Sequence, residues 1–476
     1  MRSFLTFLLM IPALGASLQS FSQPKIWTLS ECVFYALDHN ISIKQQQLSS
    51  QVAESSLRQS YFDLLPNLNG GVGSSYSTGR SVDPYTYEFT ENNVSSMNFQ
   101  VGSSVTLFSG FQKINTIEAN KYAMLAGLSE NDRIKNDISL AIITAYLNIL
   151  YSKELVANTE DQVKLTQQQV ARTQTLHEAG SVPKGSLLEV KAQLASEESQ
   201  LVQAENQLKM AFLTMTQMME LKDNEGFDIA EPDVTQLDEG ILKLSIESIY
   251  QQAEQRLPQV KAAEFRLRSS HASYKVALGS YYPRLTASAS FYSGYSNNRS
   301  KASIDMINVA SQPIGFVNSD TVFSFPYLSP QVNYVDYPFS EQFRDNAYKS
   351  LSFSLSIPIF NNYQLRHAVN SSRISLQQSE YQLESVKNQL FKEIQQAHSD
   401  AMSSMNKYNA AQKSLAASEE SFRYIQQRFD AGLLSSLDYN TAKNQLTRIQ
   451  SELLQSKYEY LFKIGILEYY LGNNPY

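Results

Sequence analysis

The sequence predicts a mainly α chain with a small β part, built from two copies of one unit. Three observations carry that reading. Leu351 to Ile359 alternates strictly, with every odd position apolar and every even one Ser or Pro, the period of a half-buried strand. A proline-free run of 68 residues, Tyr363 to Asp430, follows and stops at Ala431-Gly432, after which a second helical run begins near Ser435. The same plan recurs earlier in the chain.

The recurrence is read by subtraction. Moving back 252 positions puts Ala431-Gly432 on Ala179-Gly180, Lys443 on Lys191 and Gln445-Leu446 on Gln193-Leu194. It also puts Ile357, Ile359, Phe360 and Gln364 on Val105, Leu107, Phe108 and Gln112. An offset of 217 puts Pro283 and Leu285 on Pro66 and Leu68, and Ala253, Val260 and Lys261 on Ala36, Ile43 and Lys44. The difference, 252 − 217 = 35, is an insertion between the strands of the second copy. A repeat this long governs the architecture.

The chain has 476 residues, enough for two to four ordinary domains, but the repeat argues for two intertwined halves. A net charge of −7 gives no basic patch for nucleic acid. Cys32 is the only cysteine, so neither an intrachain disulfide nor a cysteine metal cluster is expected. Residues 1–22 read as a signal peptide: Arg2, an apolar core from Phe4 to Leu14, and small residues Ser20 and Ser22 before Gln23. That core is far short of the ~20 residues a membrane helix needs. Cys32 lacks a lipidation context, and no other stretch reads as a transmembrane helix, so any span must be β.

The first repeat is expected over 23–240. It opens with a helix of roughly 36 residues from Thr28 to about Asp63, with Glu31 in its first turn and Pro66 ending it. A β-hairpin at 66–108 follows, then a long helix at 111–178, a tip turn at 179–185, a helix at 186–220 and a polar connector at 221–240 containing Pro232. The second repeat, 241–476, runs helix (Ser245 to Gly279), β-hairpin 283–360, long helix 363–430, tip turn 431–435 and helix 436–471. Its hairpin contains the insertion, 297–347, read as a long polar and aromatic loop. A helix of ~68 residues rises ~100 Å, too long for a compact core. Two short helices end to end match one long one, which suggests helical columns with turns at one end and strands at the other. Leu187, Leu194, Leu201 and Leu208 keep a seven-residue spacing matched by Tyr439, Leu446, Leu453 and Tyr460, a coiled-coil signature.

Four strands of roughly ten residues suit a tilted bilayer crossing. Four cannot close, and an open edge in lipid leaves backbone groups unsatisfied at several kcal/mol each. Bacterial barrels start at about eight strands, so more than one chain is required. Ser, Thr and Asn would face the lumen and Leu, Val, Ile and Phe the lipid. Tyr281, Tyr282, Tyr292 and Tyr295 bracket a strand where an aromatic girdle is expected. A soluble sheet explains the alternation equally well, but not its combination with an export signal.

The chain resembles the TolC-like outer-membrane efflux and secretion channels over essentially all of its mature length. The carriers are Leu65-Pro66-Asn67-Leu68 and Tyr282-Pro283-Arg284-Leu285 before the first strands, and the strand exit Ile357-Pro358-Ile359-Phe360-Asn361. The stretches from Gly180 through Ser186-Leu187-Leu188 to Gln193-Leu194, and from Gly432 through Leu437-Asp438 to Gln445-Leu446, also match. The resemblance implies long antiparallel coiled-coil hairpins forming an α-barrel, with four strands per protomer in a homotrimeric 12-stranded β-barrel set in outer-membrane lipid. It implies a periplasmic membrane-fusion adaptor docking on the tip, through Gly180, Ser181, Pro183, Gly432, Leu433 and Leu434, and an inner-membrane RND or ABC pump. The entrance candidates it implies are Asp438, Phe429 and Ser186. Asp438 falls on an acidic position of the family pattern and Phe429 on a tyrosine. Leu434 and Thr441 replace charged positions of one known lock, which therefore does not carry over. Asp438 also has a plain role, because an Asp in a first helical turn favours the macrodipole by ~0.3–1 kcal/mol. Gly180 and Gly432 suit left-handed C-caps.

No catalytic constellation is found. His39, His177, His271, His367 and His398 lack ligand spacing, and His177-Glu178 is not followed by the second His of a zinc-protease motif. Gly71-Val72-Gly73 lacks the third glycine of a dinucleotide loop. Asn93-Val94-Ser95 fits a glycosylation sequon, a short match common by chance. No cofactor or enzymatic activity is expected. The function expected is an export channel for small molecules or proteins; the alternative is a structural or general-diffusion envelope protein without a pump.

Overall fold

The structure, a computed structural model, describes residues 25–82, 87, 89–90, 93–222, 226–231 and 240–472. The expected signal peptide and Pro232 of the connector lie outside the described residues. In chain order the elements are β1 (Lys25–Trp27), α1 (Leu29–His39), α2 (Ile41–Phe62), β2 (Asn69–Ser77), β3 (Ser81–Val82), β4 (Phe89–Thr90) and β5 (Val94–Ser109). Then come α3 (Gln112–Glu178), α4 (Lys184–Met218), β6 (Phe227–Ile229), α5 (Ile246–Arg256), α6 (Pro258–Gly279) and β7 (Arg284–Ser296). The chain finishes with β8 (Ser300–Val309), β9 (Pro313–Val317), β10 (Asp320–Phe323), β11 (Tyr327–Asp336), α7 (Phe339–Asp345), β12 (Tyr348–Ser356), α8 (Gln364–Asp430) and α9 (Ser436–Leu471). α3 and α8 are each 67 residues long, and α4 and α9 are 35 and 36.

The first helix of each half is not continuous, against expectation. α1 stops at Asn40 and α5 at Leu257, both with extended backbone (ψ 127° and 133°), before α2 and α6 begin. Pro258 explains the second break, because proline pushes the preceding residue out of the helical region. At the first break the Asn40 side chain replaces proline's effect by accepting from the Ser42 N–H at 2.9 Å. These two residues are 217 apart. Their N-caps are 217 apart too: Thr28 forms a capping box with Glu31, and Ser245 accepts from the Ser248 N–H.

The chain divides into two compact units. One comprises 1–52, 125–266 and 380–476, and its described residues form two hydrophobic cores. Cys32, Ile142, Tyr146, Ile149 and Met215 centre the first; Ile249, Leu390, Ile394, Tyr460 and Leu467 centre the second. Cys32 matches Ile249 at offset 217, and Ile142 and Met215 match Ile394 and Leu467 at 252. Cys32 is a packing residue, fully buried. β1 pairs in parallel with β6 beside the first core, and Tyr146 donates its hydroxyl hydrogen bonds to the Trp27 and Ala230 carbonyls. Burial, with the Cys32 thiol and nearby carboxylates adding to it, pushes the Tyr146 phenol up to about 12. α3 also amends the expectation of no further apolar helix, since one 18-residue window reaches a mean hydropathy of 1.3. Ile142, Ile143, Tyr146, Ile149 and Leu150 of this helix are buried in the first core.

The second unit comprises 53–124 and 267–379. Its main sheet is antiparallel in the order β12-β7-β5-β2. The strands are unequal, at 9, 13, 16 and 9 residues, rather than matched near ten. The strands turn into the long helices through paired left-handed residues: Gly110-Phe111 before α3 and Asn362-Tyr363 before α8 all have φ between 51° and 68°. Gly110 also lies so close to the Gly279 carbonyl that a Cβ would sit 2.3 Å from it, so no larger residue fits. The insertion at 297–347 is not a loop. β8 and β11 form an antiparallel ribbon of ten residue pairs, β9 and β10 form a hairpin, and α7 follows.

Candidate functional site

Three features could serve a transport role: the tips of the helical hairpins, a buried polar cluster behind them, and the two faces of the four-stranded sheet.

Both tips are closed by the same backbone device. Gly180 and Gly432 have φ of +72° and +73°, where a side chain is strained. The Ser181 N–H donates to the Leu176 carbonyl at 2.8 Å, and the Leu433 N–H to the Arg428 carbonyl at 2.9 Å. These bonds satisfy carbonyls left open at helix ends. The starts of the next helices differ. Pro183 is the N-cap of α4 without a side-chain hydrogen bond, whereas Ser435 caps α9 by accepting from the Asp438 N–H at 3.2 Å. The Ser435 hydroxyl donates back to the Asp438 carboxylate at 2.7 Å. Asp438 is therefore engaged locally as a helix-start residue. Ser181, Pro183 and Leu433 are exposed, while Ser186 and Leu434 are half-buried.

Phe429 stacks on Tyr439, with ring centroids 4.6 Å apart, and Phe422 meets the same ring at 5.4 Å. This fastens α8 to α9 just behind the tip. Tyr439 is buried, and burial raises its phenol. Arg172 of α3 reaches Asp430 at the end of α8 at 2.6 Å, an ion pair between the two hairpins that sequence spacing did not suggest.

The sequence reading also missed a buried cluster. Glu197 of α4 and Lys443 of α9 are each 3% exposed and lie 3.0 Å apart. Thr166 of α3, 1% exposed, donates to Glu197 and accepts from Lys443. Gln193 donates to Glu197 at 2.8 Å and to Asn444 at 2.7 Å. Three helices are thus tied by one hydrogen-bonded ion pair. A signal did exist: Val190, Glu197, Ala204 and Ala211 keep a seven-residue spacing, and these are the most buried positions of α4 apart from its ends. The expected leucine stripe lies beside them. Leu187 is buried, but Leu194, Leu201 and Leu208 are half-buried. The charged residue sits in the tighter position.

The sheet segregates its side chains. One face carries Leu351, Phe353 and Leu355 of β12, which are 69%, 64% and 60% exposed, opposite Ala289, Ala287 and Leu285 of β7. The other carries Ser350 and Ser352, hydrogen-bonded across to Ser290 and Ser288 at 2.7 and 2.8 Å, and Ser75 bonded to Ser96 at 2.7 Å. The four tyrosines do not form one girdle. Tyr292 pairs across with Gln100 and Tyr348 on the polar face, whereas Tyr295, three residues on, lies on the apolar face against Phe339. An odd separation along a strand puts two residues on opposite faces. Among the described residues no group of three or more His, Cys, Asp and Glu is placed to hold a metal ion.

The outer membrane efflux protein family matches residues 35–219 and 249–473. The chain belongs to that family. It is a transport protein of the outer membrane, with a TolC-like fold, and not an enzyme. Its fold is similar to CusC (TM-score 0.73, 18% identity, 95% of each chain covered). It is also similar to VceC of Vibrio cholerae (0.74, 15%, 93% of this chain and 96% of that one). The open state of the MtrE channel of Neisseria gonorrhoeae gives 0.72 at 17% identity, over 94% of this chain and 89% of that one. In sequence it is 24% identical over 231 residues to an uncharacterized protein of Haemophilus influenzae, 48% of this chain and 49% of that protein. It is 21% identical over 264 residues to SilC of Salmonella typhimurium, a probable outer membrane lipoprotein, 54% of each chain. The chain spans about half the length of the curated relatives it matches.

Proposed function

We propose that three copies of this chain close a 12-stranded barrel in the outer membrane and continue as a helical tunnel through the periplasm. Cargo, small molecules or proteins, would be exported through it. The observation that carries the reading is the four-stranded sheet. Its outer strands, β2 and β12, each pair on one side only among the described residues, and its apolar face is exposed Leu, Val and Phe. A sheet with that face in lipid must close, and copies of itself supply matching edges. The number three rests on the family resemblance.

The helices support the same reading. From Lys407 to its end α8 buries no residue: Tyr408, Ala411, Leu415, Ser418, Phe422, Ile425 and Phe429 form one half-buried stripe, with the remainder of that segment exposed. A neighbouring copy would cover part of that remainder. The exposed tips, with Leu433 at 69% and Leu437 at 66% exposure, offer an apolar end on which a periplasmic adaptor would dock and recruit an inner-membrane RND or ABC pump. Asp438, repeated in each copy, would set an acidic ring at the entrance. Planar-bilayer conductance tests this. A small cation-selective conductance that rises in Asp438→Ala supports a constricted acidic entrance. An unchanged conductance removes the ring and leaves Asp438 as a cap partner, and no conductance at all removes the channel.

A further inference from the structure

The β8–β11 ribbon presents the less expected of its faces to solvent. Alternate positions put Ala302, Ile304, Met306, Pro330, Val332 and Tyr334 on one face, paired across the ribbon as Ala302–Tyr334, Ile304–Val332 and Met306–Pro330. All six are exposed, with Ile304 at 66%, Met306 at 58% and Tyr334 at 76%. The opposite face also carries Ile307 and Val335 but is centred on Ser303, Asp305, Ser329, Gln331 and Asn333, of which Ser303, Ser329 and Asn333 are half-buried. A two-stranded ribbon is marginal alone in water, and an uncovered apolar face of this extent marks a contact surface.

The side to which that face turns decides between its occupants. α7 lies on the apolar side of the four-stranded sheet: Phe339 and Phe343 pack against Phe99 at 5.7 and 5.3 Å, and Phe339 against Tyr295 at 5.6 Å. The ribbon's polar face reaches the same helix, with Lys301 bound to Glu341 at 2.8 Å. The ribbon's apolar face therefore turns the other way, towards the serine side of the sheet. Lipid would cover the leucine side. We propose that this face is an interface between copies of the chain, through which the ribbons converge over the mouth of the barrel at the strand end opposite the long helices and narrow it.

This rests on the trimeric reading above. Ten-residue strands span roughly 33 Å, and twelve tilted strands close a barrel roughly 25 Å across, so each ribbon can reach the axis. The contact face from Ala302 to Met306 and from Pro330 to Tyr334 carries no charge, so identical faces meet without like-charge repulsion.

Cross-linking of Ile304→Cys and Asp305→Cys, neighbours on opposite faces, tests the proposal in the full chain. The native cysteine, Cys32, is fully buried and protected from reagent. The copy number of each variant in detergent is measured first, and a short bis-maleimide is then added. Trimers in which position 304 links chains at least tenfold faster than position 305 are the expected result. Trimers with no link at 304, or with equal rates, overturn the ribbon interface while the channel reading stands. Single-copy particles overturn both. Replacing 300–336 by a short Gly/Ser turn should raise conductance severalfold, and an unchanged conductance would show that the ribbons do not narrow the mouth.

Discussion

The two helical hairpins, α3–α4 and α8–α9, share helix lengths and left-handed tip glycines, yet they bury different things. Ser152 and its counterpart Ser404 are buried alike, but nearer the tip of α3 Thr159, Thr166 and Thr173 are buried at seven-residue spacing. Their counterparts in α8, Ala411, Ser418 and Ile425, are half-buried, and this end of the helix leans on α9 through one aromatic stripe. The charged cluster exists once only. Lys443 is buried, while its counterpart Lys191 is exposed, and Glu197 corresponds to Ile449. A duplicated backbone thus fixes where helices run. The substitutions laid on it decide which helix is locked inside the chain and which keeps an exposed face.

The sharpest way to break that comparison is to remove the lysine from each hairpin. Lys443→Met leaves Glu197 charged and unpaired in a 3%-exposed site and should cost about 3–5 kcal/mol. Lys191→Met should stay within about 0.5 kcal/mol. Denaturant unfolding of detergent-solubilised protein followed by circular dichroism reads both. The double variant Lys443→Met with Glu197→Leu should recover most of the loss, because apolar replacement of a buried pair is often neutral.

Where the hairpins agree, their variants should agree. Gly180→Ala and Gly432→Ala each force a side chain to φ above +70°, a local cost of about 1 kcal/mol. Faster hydrogen exchange at Ser181 and Leu433, equal for the two tips, is the expected result. Where the caps differ, so should the response. Ser435→Ala should weaken the start of α9 by about 1 kcal/mol, while Lys184→Ala beside Pro183, which makes no side-chain cap bond, should change the start of α4 little.

The smallest effect concerns pH. The hydrogen bond from Lys463 holds the Asp400 carboxyl below its usual value, against a smaller opposing effect of burial. A lowered folded pKa means that the contribution is present above the unfolded carboxylate range, near 4, and is lost as pH falls through the folded value. The pair is about a quarter to a third exposed, so Lys463→Met should cost under about 1 kcal/mol at pH 7 and nothing measurable near pH 2.

Much of this was legible because long periodic signals are hard to counterfeit. The offset of 252, the proline-free runs and the tip glycines located α3, α4, α8 and α9 before any packing was known. What was missed depended on partners. The break at Leu257 was announced by Pro258, but its twin at Asn40 relies on a side-chain bond that propensity does not reveal. β8 and β11 alternate visibly at Ala302, Ile304 and Met306, yet the Ser, Asn and Tyr content read as loop. Asp438 was read as a helix-start residue, the role its bonds to Ser435 show, while Glu197 was missed, because a glutamate in a polar-rich helix looks solvated until Lys443 is brought against it from 246 positions away.

The central claim is that β2 and β12 are edges completed by other copies of the same chain. The mass of the detergent-extracted protein, by native mass spectrometry, tests this most directly. Three copies per particle, stable to dilution, is the predicted result. A single chain that stays monodisperse with its sheet intact would contradict it.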